Sequence, residues 1–275
     1  MNYRHIYHAG NFADVFKHAL LTLLIERLKA KDTPFAAIDT HAGAGLYDIS
    51  AAEAQRTGEF ARGYGQARAG LPAALVPYRD AVAALNPDGS MRFYPGSPLL
   101  ALRLMRPQDR LVACELHPED ARHLKLALQG DRRAEIHHRD GYRALKAFLP
   151  PRERRGLVLI DPPFETEDER RQMVRALAVA HGRWPTGIYA LWYPIKADSE
   201  ARLLHAELAN TGIPRQVAFE MRIRDGDDPA RLNGCGLAIV NPPYQFDLVA
   251  MPVLQALHCA LAEAGGVRRA VVAAE

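Results

Sequence analysis

Seven short apolar runs, most of them separated by segments of helical periodicity, constrain the fold of this chain more than any other feature. The runs, which we interpret as strands, are residues 35–39, 110–115, 134–138, 156–161, 188–193, 216–223 and 237–241. Between the second and sixth runs, and again at 248–262, the apolar spacing is typical of amphipathic helices. Strands that alternate with helices form a mainly parallel sheet covered on both faces. The sequence therefore predicts an α/β, Rossmann-like fold built on a mainly parallel seven-stranded sheet.

Two further segments lie outside this alternation. Apolar positions at helical spacing predict a helix from about residue 11 to 29. Residues 48–93 are rich in alanine and arginine, and helical periodicity is present at 50–63 and at 73–86. We interpret residues 48–93 as a small helical subdomain inserted into a single domain that spans 1–275.

Composition narrows the class of protein. Hydrophobic residues make up 48% and charged residues 24% of the chain, which are ordinary values for a globular protein. The net charge of +3 is compatible with nucleic-acid binding but does not indicate it. No apolar run is long enough to predict a membrane span, and three distant cysteines suggest a reducing, cytoplasmic setting. The pairs His5/His8 and His137/His138 have metal-ligand chemistry, but no cysteine or carboxylate cluster completes a site, so we predict no metal.

Glycine and acidic residues follow the predicted strands. Ligands of open α/β sheets bind beyond the carboxyl ends of the strands, so these positions indicate what is bound. Gly43 lies in a turn whose backbone can approach a ligand closely, because glycine has no side chain in the way. Glu115 is placed to accept hydrogen bonds from ribose hydroxyls. Asp140, followed by Gly141, is placed to accept from an adenine amino group. Because the turn lacks a pyrophosphate-binding glycine pattern, we expect a cofactor that carries one nucleoside and no pyrophosphate.

The segment Asp161-Pro162-Pro163-Phe164 follows the fourth parallel strand and indicates the chemistry. The amino group of adenine is a poor nucleophile because its lone pair is delocalised into the ring. Asp161 and a neighbouring carbonyl can accept its two hydrogens, and the two prolines fix φ and preorganise these acceptors. Phe164 can stack on an extruded base. The segment therefore predicts methyl transfer from S-adenosylmethionine to an exocyclic amino nitrogen.

A second segment, Asn241-Pro242-Pro243-Tyr244, fits the same pattern but follows the last predicted strand. If that strand runs antiparallel at the sheet edge, its carboxyl end points away from the cofactor. No acidic residues precede it in the order that a nucleoside site requires. We therefore predict a structural role for the second segment.

The chain resembles the J-type bacterial 23S ribosomal RNA adenine-N6 methyltransferases over nearly its whole length. The resemblance implies a class I methyltransferase fold with an inserted helical subdomain, S-adenosylmethionine as cofactor, and N6-methylation of one adenine in protein-free or partly assembled large-subunit RNA. The segments that carry it are Tyr3–His5, His8–His18, Asp39–Gly45, Arg56–Glu59, Tyr94–Pro98, Glu115–Pro118, Asp161–Pro163 and Ala190–Pro194.

The resemblance also implies residue roles that spacing alone does not. Asp161 would be the catalytic acceptor, with Pro162, Pro163 and Phe164 completing the catalytic segment. Tyr3 and Lys17 would contact the RNA, although a basic residue in such a helix can also merely complement the helix dipole. Phe164 stands where the family usually has tyrosine, so a hydroxyl should be dispensable there. The cofactor would be held by His18, His41, Gly43, Ser97, Glu115, Asp140, Gly141 and Asp161.

Alternatives remain at the level of sequence. The same segment serves DNA adenine-N6 methyltransferases, and only the N-terminal block, through the resemblance, favours RNA. A non-catalytic RNA-binding module on the same fold is a second alternative, which an intact Asp161 disfavours. We expect a monomer. Several arginines have phosphate-binding chemistry, yet each is equally typical of a solvated surface: Arg56, Arg62 and Arg68 in the insertion, and Arg222, Arg224 and Arg231 in the late loop.

Overall fold

The computed structural model describes residues 4–166, 168–226, 228 and 231–274. Tyr3, predicted to contact the RNA, lies outside these residues. Within them, ten strands are formed: β1 (Ala36–Asp39), β2 (Leu46–Asp48), β3 (Phe93–Pro95), β4 (Arg110–Glu115), β5 (Ala134–His138), β6 (Gly156–Ile160), β7 (Ile188–Ile195), β8 (Gln216–Arg222), β9 (Gly234–Val240) and β10 (Gly266–Ala273).

Eight of these strands form one sheet in the order β5-β4-β1-β6-β7-β9-β8-β10. The first five are parallel, whereas β9 is antiparallel to both of its neighbours and β10 is antiparallel to β8. The predicted α/β fold is therefore confirmed, but the sheet has eight strands and not seven. We did not predict β10 because its sequence, GVRRAVVA, has two arginines and an apolar run of only four residues, and it is exposed or half-buried at the sheet edge. The strand that we placed at the edge, β9, lies inside the sheet.

Nine helices of the α type cover the sheet in the described residues. They are α1 (Phe12–Lys29), α2 (Ala52–Thr57), α3 (Val76–Ala83), α4 (Ser97–Leu104), α5 (Pro118–Ala127), α6 (Gly141–Phe148), α7 (Glu169–Arg183), α8 (Asp198–Ala209) and α9 (Phe246–Leu261). None of the described helices is both long and apolar enough to cross a membrane.

Both faces of the sheet are buried, because neighbouring residues of its central strands belong to different cores. In β1, Ala37 belongs to a core that contains Leu20 of α1, whereas Ile38 belongs to a core that contains Leu177 of α7. The first core also includes apolar residues of α4 and α9, and the second includes those of α6 and α8. This arrangement explains the nearly continuous apolar runs of the parallel strands.

The helix α1 is buried on most of its surface, including its polar residues. It packs against α4, α9 and the segment between β2 and β3. Its buried polar side chains, which an amphipathic surface helix would expose to solvent, are therefore held inside the protein: Asp14, Lys17, His18 and Thr22.

Residues 49–92 lie between β2 and β3, which pair in antiparallel fashion with Asp48 opposite Phe93. The helix expected at 50–63 is interrupted: α2 ends at Thr57, where Gly58 adopts φ +60°, and a π-helical turn follows at Ala61–Gly65. The segment packs on the N-terminal residues: the amide of Tyr64 donates to the carbonyl of Gly10 (2.8 Å). It therefore fixes the position of the chain that leads into α1.

Candidate functional site

The carboxyl ends of β1, β4, β6 and β7 lie side by side along one edge of the sheet, the edge formed by strand ends and not by an outer strand. There they border a cleft of about 990 Å³. Most of the residues predicted from the sequence line it. These are Lys17, His41, Gly43, Ser97, Glu115, Asp140, Gly141, Asp161, Pro162, Pro163 and Phe164.

Glu115, at the end of β4, is fixed by two backbone amides. Its Oε2 accepts a hydrogen bond from Gly43 N (2.8 Å) and its Oε1 accepts one from His117 N (2.7 Å). Burial raises the pKa of Glu115, against the effect of these two hydrogen bonds. Gly43 itself adopts φ +60°, and a Cβ there would lie 2.4 Å from the hydroxyl of Tyr47. The glycine thus allows the turn to approach the carboxylate, which is oriented before any ligand arrives.

Asp140 and Gly141 form the start of α6. The Oδ1 atom of Asp140 accepts hydrogen bonds from the amides of Tyr142 (2.9 Å) and Arg143 (3.2 Å) and so caps the helix. A Cβ on Gly141 would lie 2.0 Å from the carbonyl oxygen of Thr40, so only glycine fits between α6 and the end of β1. Asp140 therefore has a structural task that the sequence did not indicate, while it lines the cleft as predicted.

Ser97 and His41 lie beside the end of β1. The Ser97 hydroxyl donates to Asp39 Oδ2 (2.6 Å), and burial raises the pKa of Asp39 to about 7 against the effect of this bond. Burial lowers the pKa of His41 to about 4, and its ring meets the edge of the Tyr142 ring at 4.9 Å. A neutral imidazole and a serine that bonds Asp39 thus form the floor of the cleft.

A buried chain of charges ends at Asp161. Lys17 Nζ donates to Asp161 Oδ2 (2.6 Å) and lies 2.9 Å from Asp14 Oδ1. Asp14 Oδ2 is in turn 2.9 Å from His5 Nε2 and accepts from the amide of Gly10 (2.9 Å). Burial disfavours the ammonium of Lys17, but the two carboxylates raise its pKa well above the usual value. Sequence reasoning missed Asp14, although its i,i+3 spacing to Lys17 on a predicted helix was a usable signal.

The surroundings of Lys17 differ from those of an RNA contact. Its side chain is 6% exposed, and its ammonium bridges Asp14 and Asp161 within the protein. A phosphate-binding lysine normally reaches solvent. The RNA contact of Lys17 stays a prediction, while the geometry supports a role in orienting Asp161.

His18 does not line the cleft. Its ring is fully buried, and Nδ1 is 2.9 Å from the Tyr94 hydroxyl, which is 2.5 Å from the hydroxyl of Tyr78. Burial lowers the pKa of His18 to about 3. The structure therefore places His18 in the core and not on the cleft wall, and the Tyr94 hydroxyl is its polar partner there.

Phe164 lies in the cleft with its backbone in the left-handed region (φ +49°). Its ring meets the edge of the Trp192 ring at 5.9 Å, so two aromatic side chains lie beside Asp161. Asp168 is the N-cap residue of α7, and the carboxylate of Glu169 accepts from the Tyr142 hydroxyl (2.7 Å) across the cleft.

The second Pro-Pro segment, Asn241–Tyr244, lies on the side of the sheet opposite to the cleft, where the amino ends of the parallel strands are. Because β9 is antiparallel to β7, Val240 pairs with Tyr189 near the start of β7, and Asn241 follows there. The Asn241 amide donates to the carbonyls of Pro185 (2.7 Å) and Gly187 (2.8 Å), and Tyr244 is 83% exposed. The predicted strand direction is confirmed, and the contacts of Asn241 are those of a structural residue.

The two N-terminal histidines that we considered as metal ligands, His5 and His8, each contact a carboxylate of the protein. His5 Nε2 contacts Asp14, and His8 Nδ1 contacts both carboxylate oxygens of Glu59 (3.1 Å each). The hydrogen bond to Glu59 raises the pKa of His8. Over the described part of the chain, no group of three or more His, Cys, Asp or Glu side chains is arranged to hold a metal ion.

Comparison with known proteins places this architecture in a family. Residues 32–273 match the family model described as "Ribosomal RNA large subunit methyltransferase D, RlmJ". The chain is 42% identical to ribosomal RNA large subunit methyltransferase J of Escherichia coli K12, over 96% of this chain and 95% of that protein. It is 37% identical to the protein of the same name from Haemophilus influenzae Rd, with the same coverage of both chains.

A solved structure agrees with this match. Protein LPL1258 from Legionella pneumophila superposes with a TM-score of 0.87 at 33% sequence identity, over 96% of this chain and 97% of that chain. The strand order, with one antiparallel strand inserted between β7 and β8, is that of a class I methyltransferase-like α/β fold. The chain therefore belongs to the RlmJ family of ribosomal RNA large-subunit methyltransferases.

Proposed function

We propose that this protein transfers a methyl group from S-adenosylmethionine to N6 of one adenine in 23S ribosomal RNA. The observation that carries the proposal is the position of Asp161. It ends the central strand β6 at the ligand-binding edge, and its carboxylate is held by a buried lysine beside an aromatic ring. The family membership supports large-subunit ribosomal RNA as the substrate.

The cleft fits a nucleoside-bearing sulfonium cofactor in two respects. The Glu115 carboxylate is already oriented at the cleft wall, and the close packing of Gly141 on Thr40 brings Asp140 to the end of β1. Glu115 would accept from the ribose and Asp140 would lie at the adenine. His41, Gly43 and Ser97 would complete the binding surface, and His18 would act from the second layer behind it. When bound, S-adenosylmethionine supplies an electrophilic methyl group.

The chain's own residues position the nucleophile. Lys17 holds Asp161 through Oδ2, so Oδ1 is the atom available to accept a hydrogen from the adenine amino group, as judged from the described contacts. A carbonyl of the Pro162 region accepts the second hydrogen, and the rigid Pro162-Pro163 backbone keeps both acceptors in place. The flipped base stacks on Phe164. One amino proton must leave as the nitrogen–carbon bond forms, and Asp161 or water accepts it.

Tritiated methyl transfer tests the proposal. Protein-free 23S transcript and duplex DNA of the same sequence would be offered to the wild type and to Asp161→Ala, and the product would be mapped by mass spectrometry. We expect one N6-methyladenine in the RNA, no transfer to DNA, and loss of transfer in the variant. Transfer to DNA alone would contradict the substrate, and unchanged activity of the variant would contradict the role of Asp161.

The proposal also covers the oligomeric state of the protein, the assembly stage of its RNA substrate and the domain organisation of the chain. It would act as a monomer on protein-free or early-assembly RNA. One domain over residues 1–275, with 48–93 as an inserted helical subdomain, stays a prediction that limited proteolysis can test. A stable fragment without residues 48–93 would contradict the single-domain interpretation of the insertion.

A further inference from the structure

Charge is distributed unevenly along the cleft. At the end that β4 and β5 border, the lining side chains are acidic: Glu115, Asp120 and Asp140. At the end that β7 and β8 border, three cationic side chains line it, and we call them the cationic rim: Lys196, Arg224 and Arg231. Asp161 lies between the two ends, since β6 is between β4 and β7 in the sheet.

The topology brings the rim to the same edge as the predicted cofactor site. Both β7 and β8 are antiparallel to β9, so they run in the same direction and their carboxyl ends lie together. Lys196 directly follows β7, and Arg224 follows β8 by two residues. The rim is thus a continuation of the ligand-binding edge beyond Asp161.

Asn233 joins the three segments that carry the rim. Its amide donates to Ile195 O (3.0 Å), and its carbonyl accepts from Ile223 N (2.9 Å). Its buried side chain donates to the carbonyls of Lys196 (2.7 Å) and Asp228 (2.9 Å). Asn233 therefore anchors the backbone at Lys196, at Ile223 next to Arg224, and at Asp228.

The side chains of the rim are available to an incoming anion. Lys196 is exposed and has no ion pair with any described residue. Arg224 is 3.7 Å from Glu263, which is 79% exposed, and Arg231 is 3.5 Å from Asp228, which is 52% exposed. Ion pairs between exposed groups are weak, so a phosphate can replace either carboxylate.

We propose that the cationic rim binds backbone phosphates of the RNA that flank the target nucleotide. The proposal rests on the proposed function and specifies which face of the protein the RNA occupies. A cationic cofactor fits the acidic end of the cleft, and a polyanion fits the opposite end. Of the three candidate arginines of the late loop, the rim includes Arg224 and Arg231. Arg222 is hydrogen-bonded to Asp198 below the rim and does not line the cleft, so it is not included.

Matched triple variants test the rim. Lys196→Gln/Arg224→Gln/Arg231→Gln removes the rim charges, and Arg79→Gln/Arg122→Gln/Lys125→Gln removes three exposed charges that do not line the cleft. The probe is a protein-free 23S transcript, and its dissociation constant is measured between about 50 and 200 mM salt. We expect the rim variant to bind at least about tenfold more weakly and to lose two to three units of salt slope, at roughly one unit per phosphate contact. The control variant should stay within about twofold of the wild type.

Further measurements separate the outcomes. Both variants should bind S-adenosylmethionine like the wild type, which excludes misfolding, and the rim variant should raise KM for RNA with little change in kcat. If the protein methylates RNA and the rim variant keeps the wild-type salt slope, the rim proposal is overturned and the proposed function stands. If the wild type binds RNA through the rim but transfers no methyl group, the proposed function fails and the rim stands. Equal losses in both variants would also overturn the rim.

Discussion

The segments Asp161–Phe164 and Asn241–Tyr244 have nearly the same sequence pattern and different surroundings. The first follows the parallel strand β6 and opens into the cleft, next to Lys17 and Trp192. The second follows the antiparallel strand β9 and lies at the other edge, where its asparagine binds two backbone carbonyls. The comparison shows that strand direction, and not the four residues, decides which copy meets a ligand.

The two segments also differ in how they are held. Asp161 is part of a buried ion-pair chain that reaches back to α1, so its carboxylate has a fixed orientation. Asn241 is held by neutral hydrogen bonds in a left-handed backbone conformation (φ +52°), which asparagine tolerates well. The first arrangement suits a group that must act on a substrate, and the second suits a turn.

The largest expected effect is on methyl transfer, which should depend on the first residue of one segment, Asp161, and not on that of the other, Asn241. Asp161→Ala removes the acceptor for the adenine amino group, so we expect methyl transfer to fall by about 10²–10⁴-fold. Asn241→Ala should leave kcat unchanged and lower the free energy of unfolding by about 1–3 kcal/mol, because two carbonyls lose their partner. Single-turnover methyl transfer and urea unfolding measure the two effects. A loss of turnover in a folded Asn241→Ala protein would reverse our assignment of the segments.

The second prediction concerns the ion pair that only the first segment has. Lys17→Met leaves the carboxylates of Asp14 and Asp161 close together without a cation, so the protein should lose about 3–5 kcal/mol of stability. Lys29→Met, at a more exposed i,i+3 pair with Glu26 in the same helix, should cost less than about 1 kcal/mol. Urea unfolding of both variants is the measurement. Equal costs for both would mean that Lys17 contributes no more than a surface charge.

The parallel half of the fold was predictable because its strands are continuous apolar runs. The bounds predicted for β4 and β5 match the structure, and those for β6 differ by one residue. In the antiparallel part, β8 was predicted to within one residue and β9 in part, whereas β10 was missed because it depends on pairing with β8 and its own pattern is weak. The ion pair of Lys17 with Asp161 joins residues 144 positions apart, and no local spacing can indicate such a contact. The site's carboxylates were thus found from sequence, and their partners required the fold.

The third prediction uses pH. Burial lowers the pKa of His18 to about 3 and that of His41 to about 4, so both are neutral in the folded protein. Below pH 6.5 the unfolded chain binds protons that the folded protein does not, and their contribution to stability falls as the pH drops from about 6.5 towards 4. Asp39 opposes this loss, because its raised pKa of about 7 means that the folded protein gains a proton there before the unfolded chain does. We therefore expect a net loss of roughly 1–3 kcal/mol over this range.

Urea unfolding at several pH values measures this loss. His41→Gln should reduce the pH dependence. His181→Gln, a variant at the far end of α7 where the ring is only partly buried, should reduce it less. An unchanged pH dependence in a folded His41→Gln protein would contradict the neutral state of His41.

The smallest effects concern the aromatic residue that ends each segment. Phe164→Ala removes the stacking platform and should lower kcat/KM by about 10–100-fold, corresponding to about 1–3 kcal/mol of base stacking. Phe164→Tyr introduces the residue that the resemblance implies for this position and should stay within about twofold of the wild type, because in the proposed mechanism stacking and not a hydroxyl holds the base. Tyr244→Ala at the other edge should have no effect, as its ring is 83% exposed. A large gain in kcat for Phe164→Tyr would show that the hydroxyl contributes to transfer, and the two segments would then differ in chemistry as well as in position.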